Sequence, residues 1–153
     1  LYLISIFREP VNLFNADPGI KSNVLTTEEE GVAIAAGAWL GGQRAVLLMQ
    51  SSGVGNCINM LSLPVIGRFP LLMLVTMRGE WGEFNPWQVP MGQAVRPVLE
   101  AMGTVVQTPA SAEDIVPTVN AALRLAYNSY ASVAVLIPQR VIGIKSFQDQ
   151  ASR

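Results

Sequence analysis

The sequence predicts an α/β domain: a doubly wound, three-layer, mostly parallel sheet of about six strands with helices on both faces. Three observations predict it. Short β-rich apolar runs recur along the chain, and they lack the in–out alternation of a half-exposed strand, as expected when both faces of a sheet are covered. Helical segments separate them, so strand and helix alternate. The 153 residues, half of them hydrophobic, suffice for one sizeable core. The expected organisation is therefore one domain over residues 1–147 and a polar tail over 148–153.

In order, strands are expected at 3–7, 23–26, 45–50, 71–76, 104–107 and 132–137, and helices at 28–40, 56–63, 92–102 and 112–128. Thr27, followed three residues later by Glu30, has the form of a capping box at the start of the first helix. Ser111 precedes Glu113 and Asp114 and is the expected cap of the last helix, in which Pro117 marks either a kink or a late true start. Residues 78–93 hold three glycines, two prolines and two tryptophans after a strand, which reads as a long, partly ordered loop. The first residues already look like part of an element, so the chain is expected to lack some of its N-terminus, and Arg8, Glu9 and Pro10 interrupt the apolar start too early for a signal peptide.

Composition excludes several classes of function. Ten basic residues stand against eleven acidic ones without a basic cluster, so no nucleic acid or anionic membrane is an expected partner. The longest uncharged stretch, 45–67, carries Gln50, Ser51, Ser52, Asn56, Asn59 and Pro64, unlike a membrane span. With 14% charged residues and a mean hydropathy of +0.36, the surface is expected to be partly covered in an oligomer. A lone Cys57 leaves no intramolecular disulfide and fits a cytoplasmic protein. The absence of histidine removes Ser-His-Asp triads and the commonest general base, so chemistry here must rest on carboxylates, amides, hydroxyls or a cofactor.

Two stretches concentrate the chemistry. Three consecutive acids, Glu28, Glu29 and Glu30, open the first helix. Glu30 serves the cap, Glu29 complements the helix dipole, and Glu28 is left over at the carboxyl edge of the sheet, where open α/β folds collect ligands. It is either a third surface acid or a residue that faces a ligand. The second stretch is "QSSGVGN", residues 50–56, where Gly53 and Gly55 are expected to form a tight turn between strand and helix and to let a ligand approach the backbone. A dinucleotide fingerprint would want glycine where Ile58 stands, and a P-loop would want a lysine and hydroxyl pair, so both nucleotide patterns are incomplete.

Together, Glu28, the glycine nine positions on at Gly37 and the "QSSGVGN" stretch resemble the pyrimidine-binding domain of thiamine-diphosphate-dependent enzymes, in particular the sulfopyruvate and phosphonopyruvate decarboxylases. The resemblance covers residues 23–147. It implies that Glu28 hydrogen-bonds a ring nitrogen of the cofactor's aminopyrimidine and so helps the cofactor deprotonate its own thiazolium carbon. The carboxyl must hold a proton part of the time, which an apolar setting favours. The assignment to Glu28 rests on the nine-residue spacing to Gly37, and a slip to Glu29 would turn the side chain about 100° around the helix, so the distinction is testable.

The resemblance also implies cofactor contacts for Ser52, Gly53, Gly55 and Asn56, and places Gln50 and Ser51 where some decarboxylases carry an active-site histidine. Arg78 is a candidate for the anionic substituent of a small 2-oxoacid substrate, with a solvated surface arginine as the alternative. A Gly-Asp-Gly stretch, by which these enzymes hold Mg2+ and the diphosphate, does not occur here, so a diphosphate-binding β subunit or domain is the implied partner and no metal is expected in this chain. Two other readings are a non-catalytic regulatory or assembly protein that retains the fold, and a nucleotide-binding α/β domain.

Overall fold

The computed structural model describes residues 2–5, 14 and 17–144. The expected tail, 148–153, lies outside them. Six strands, β1 (Tyr2–Ser5), β2 (Lys21–Val24), β3 (Ala45–Gln50), β4 (Leu71–Thr76), β5 (Val105–Gln107) and β6 (Ser132–Ile137), form one sheet in the order β2-β1-β3-β4-β6-β5. Every pair is parallel. The chain runs outward from β1 to β2 and then returns to place β3 on the other side of β1, which makes the β1/β3 boundary a topological switch point.

The helices are α1 (Glu28–Leu40), α2 (Ser51–Cys57), α3 (Ser62–Gly67), α4 (Val89–Ala101), α5 (Ile115–Ser129) and α6 (Gln139–Ile142), with 3₁₀ turns at Asn59–Leu61 and Pro86–Gln88. Among the described residues, no helix is long and apolar enough to cross a membrane. Successive strand residues point to opposite faces, so each central strand feeds two cores. Leu47, Met49, Met73, Val75 and Leu136 meet α1, α2 and α4 residues such as Val32, Val54 and Leu99. Val46, Leu72, Val133 and Val135 meet Ala122, Ala126 and Tyr127 of α5. This double burial is why the strands read as continuous apolar runs. On the second face the Tyr127 hydroxyl donates to the Ala45 carbonyl at 2.7 Å and accepts from the Ala45 amide at 2.8 Å, tying α5 to the start of β3.

Several expected boundaries move. The second strand ends at Val24 because Leu25 already turns into the core. Helix α5, the last helix expected from the sequence, begins at Ile115, so Pro117 sits in its first turn, where a missing N–H interrupts no helical bond. Ser111 does not cap that helix; its hydroxyl bonds the exposed Glu113 carboxylate and lowers its pKa, while Asp114 occupies the N-cap position and accepts from the Ala110 amide at 3.0 Å. Residues 78–93 are a loop only as far as Asn85. Asn85 accepts from the Trp87 amide at 3.1 Å, Pro86 pre-sets the turn, and α4 starts at Val89.

Candidate functional site

Thr27 has the extended backbone of an N-cap, φ −139° and ψ 158°, but its hydroxyl makes no capping bond. Glu30 reaches back one residue further than a capping box requires and accepts from the Thr26 amide at 3.0 Å. Glu29 is exposed. Glu28 is the odd one of the three: it is 7% exposed and points under α1 toward α2. The three acids thus have three different settings, and the expected capping box between Thr27 and Glu30 is not formed.

The expected glycine turn is absent. Strand β3 passes directly into α2 at Ser51, so Gly53 and Gly55 lie inside a helix with ordinary helical backbone. Their role is close approach. A Cβ at Gly53 would stand 2.4 Å from Oε1 and 2.6 Å from Cδ of Glu28, so only a hydrogen atom fits between α2 and that carboxylate. A Cβ at Gly55 would meet the Met91 sulfur at 3.2 Å. One turn past Gly53's side of the helix, Asn56 donates from Nδ2 to Glu28 Oε2 at 2.7 Å. Glu28, Gly53 and Asn56 therefore form one unit at the carboxyl end of the sheet, beside the switch point. Among the described residues, Glu28 Oε1 receives no hydrogen bond, which leaves one oxygen of a buried carboxylate open to a ligand.

Cys57 lies fully buried beneath this unit. Burial first, and then the nearby negative charges of Glu28 and Glu29, push its thiol up to about 12. It stays a protonated packing residue and not a nucleophile. Gly37 is exposed, and a Cβ there would meet nothing within 4 Å, so packing within this chain does not account for it.

The remaining candidates fall elsewhere. Ser51 is buried, and its hydroxyl accepts from the Arg78 amide at 3.1 Å, fixing the start of α2 to the end of β4. Gln50, opposite Thr76, and Ser52, in the first turn of α2, are half-buried at the same sheet edge without a bond to Glu28. Arg78 differs from its expected setting: it is neither a solvated surface arginine nor an open anion receptor. Its guanidinium makes a two-pronged pair with Glu83, Nε to Oε2 at 2.7 Å and Nη2 to Oε1 at 2.5 Å.

Glu83 was not legible as a special residue. It also accepts from the amides of Gly79 at 3.1 Å and Asn85 at 3.0 Å and from Gln139 Nε2 at 2.9 Å. The Arg78 hydrogen bond, aided by those backbone amides, overcomes burial and holds its carboxyl down at about 2. Gln139, 2% exposed at the end of β6, accepts the Glu80 and Trp81 amides on its Oε1 at 2.9 and 3.1 Å. Gly92 lets α4 press on this loop, because a Cβ there would lie 2.0 Å from the Arg78 carbonyl oxygen. No spacing rule reveals these partners, since Gln139 is 56 residues from Glu83.

The fold is a doubly wound α/β domain with this cluster at the carboxyl edge of its sheet. The structure superposes on part of a 2-oxoglutarate:ferredoxin oxidoreductase from Magnetococcus marinus, solved with 2-oxoglutarate, coenzyme A and succinyl-CoA, with a TM-score of 0.69 and 18% identity over 90% of this chain and 26% of that one. That likeness is one of fold. In sequence the chain is 37% identical over 131 residues to the sulfopyruvate decarboxylase subunit alpha of Methanothermobacter thermautotrophicus, covering 85% of this chain and 79% of that one. It is 35% identical over 128 residues to the corresponding subunit of Methanococcus maripaludis, covering 83% and 77%. It also matches the phosphonopyruvate decarboxylase of Streptomyces viridochromogenes at 33% identity over 147 residues, 94% of this chain but 37% of that longer one. No protein-family model matches. The chain belongs to the family of sulfopyruvate decarboxylase alpha subunits.

Proposed function

We propose that this chain is the pyrimidine-binding subunit of a thiamine-diphosphate-dependent 2-oxoacid decarboxylase acting on a small sulfopyruvate- or phosphonopyruvate-like substrate. One observation carries the reading: a buried carboxylate, Glu28, with one oxygen held by Asn56 and the other open, at the switch point of a parallel sheet. A buried acid with a free oxygen suits a ligand that offers it a nitrogen, and the missing Cβ of Gly53 leaves the space that such an arrangement needs. The bound cofactor would supply the carbanion chemistry of decarboxylation.

In this reading Glu28 holds and returns a proton at the cofactor's aminopyrimidine. Asn56 and Gly53 set the carboxylate in place, and Ser52 and Gly55 line the same helix. Gln50 and Ser51, at the end of β3, border the substrate end of the site. Arg78 serves that border by holding the loop at residues 79–85 and does not meet the substrate's anion. The chain has no Gly-Asp-Gly stretch, so a β subunit or domain holds the diphosphate and its Mg2+. Its only cysteine is a buried free thiol, which fits a cytoplasmic complex.

The experiment is purification of the chain with whatever accompanies it in its own cells, followed by sequencing of the second chain and assay of bound cofactor. The expected result is a stoichiometric partner bearing Gly-Asp-Gly, with thiamine diphosphate, that decarboxylates a panel of 2-oxoacids. A chain that emerges alone, without cofactor and inactive when mixed with the diphosphate-binding subunit of a relative, would overturn the reading in favour of a regulatory protein.

A further inference from the structure

We infer that Asn56 is a positioning residue which acts through Glu28, and that it fixes Oε1 as the oxygen on which Glu28 carries its working proton. This rests on the reading above and goes beyond it, because it removes Asn56 from the residues that contact cofactor or substrate. The Asn56 side-chain amide donates to Oε2 at 2.7 Å, a short bond of the kind made to a carboxylate. An oxygen that already faces an N–H cannot also carry a hydrogen along that direction without setting two donors against each other. Protonating Oε2 on its other lone pair would weaken it as the acceptor of that bond, so protonation is directed to Oε1. That oxygen packs against the bare Gly53 backbone, where a Cβ would stand 2.4 Å away, so α2 confines the carboxyl group on that side while offering Oε1 no side-chain donor.

The same bond holds the rotation of the carboxylate. Without it the buried head would be free to turn about its last torsion, which is broad, and neither oxygen would be held in a fixed direction. Asn56 is suited to this task because its own residue is exposed, so its side chain can bind Glu28 without carrying core packing. The covalent chemistry is untouched by Asn56: the proton leaves and returns at Oε1, and the amide keeps both of its hydrogens.

The test uses the complex of this chain with its diphosphate-binding partner, loaded with thiamine diphosphate and Mg2+. The readout is the exchange of the cofactor's thiazolium C2 hydrogen for deuterium, followed by NMR after acid quench, alongside cofactor affinity and thermal melting. Asn56→Ala is expected to slow exchange by at least tenfold, with the melting temperature of the cofactor-free complex nearly unchanged and cofactor affinity falling less than the exchange rate. Asn56→Asp, close in shape but unable to donate when ionised, should slow it further. Asn56→Gln, which restores a donor on a longer arm, should recover part of the rate. Unchanged exchange in both Asn56→Ala and Asn56→Asp, while Glu28→Gln abolishes it, would overturn this inference and leave the proposed function standing. Exchange that survives Glu28→Gln, or a wild-type complex that retains no cofactor, would overturn both.

Discussion

Glu28 and Glu83 are both carboxylates withdrawn from solvent near the carboxyl edge of the same sheet, and their surroundings are opposite. Glu83 receives five donors, from two guanidinium nitrogens, two backbone amides and one side-chain amide. Among the described residues Glu28 receives one, from a neutral amide, and no cation. The first is saturated and held in its charged form; the second keeps one oxygen without a donor among the described residues. What separates the two acids is the number of donors left unfilled, not the depth of burial, and the role proposed for Glu28 rests on that difference.

The sharpest way to break this contrast is to make the same substitution at both places. Glu28→Gln keeps shape and removes the proton, so decarboxylation by the reconstituted complex should fall by about 10²–10⁴-fold with little change in the urea midpoint. Glu83→Gln should do the reverse. It leaves the Arg78 cation buried beside a neutral amide, which lowers stability by about 3–5 kcal/mol, read as a shift of the urea midpoint. Equal stability losses for the two variants would erase the distinction.

Gly53→Ala tests the site from its other side. The added methyl must displace the Glu28 head, so activity should drop steeply while stability falls by about 1–3 kcal/mol. Retained activity would mean that Glu28 can work from another position.

Acid titration sharpens the Glu83 half. Its folded value of about 2 lies below the ordinary 4.5, so the folded chain releases a proton that the unfolded chain keeps in this range. Its stabilising contribution is complete above about pH 4.5 and is lost as pH falls toward 2. Urea midpoints measured from pH 6 to pH 3 should decline, and that part of the decline should be missing in Glu83→Gln. The smallest effect is expected at Cys57, whose thiol is raised to about 12: it should resist alkylation at pH 8 in the native protein and react once urea exposes it.

The sheet was legible because β3, β4 and β6 are buried on both faces and announce it as unbroken apolar runs; the expected and observed limits of these three strands coincide. Glu28 was legible for a local reason as well, since helix-start chemistry accounts for its two neighbours and leaves it over. The "QSSGVGN" stretch was located but misread. Glycine pairs after a strand normally signal a turn, and nothing within seven residues discloses that a side chain 25 positions earlier needs the space of a missing Cβ. Ser111 failed similarly, because the helix begins only at Ile115, with Pro117 in its first turn, and no side chain caps it. The Arg78–Glu83–Gln139 cluster was invisible, since its members meet only once β4 and β6 lie side by side.

On the function proposed above, that cluster borders the ligand site and bears on how a ligand is received. The amides of Gly79, Glu80, Trp81 and Asn85 are all taken up by the side chains of Glu83 and Gln139, so this border of the site is ordered while the chain folds. An incoming molecule does not have to organise it, and little conformational entropy remains to be lost there on association. Selectivity at this border then comes from a fixed shape, as in a mould, and changing it calls for refitting the loop to the end of β6 along with the residues that face the molecule.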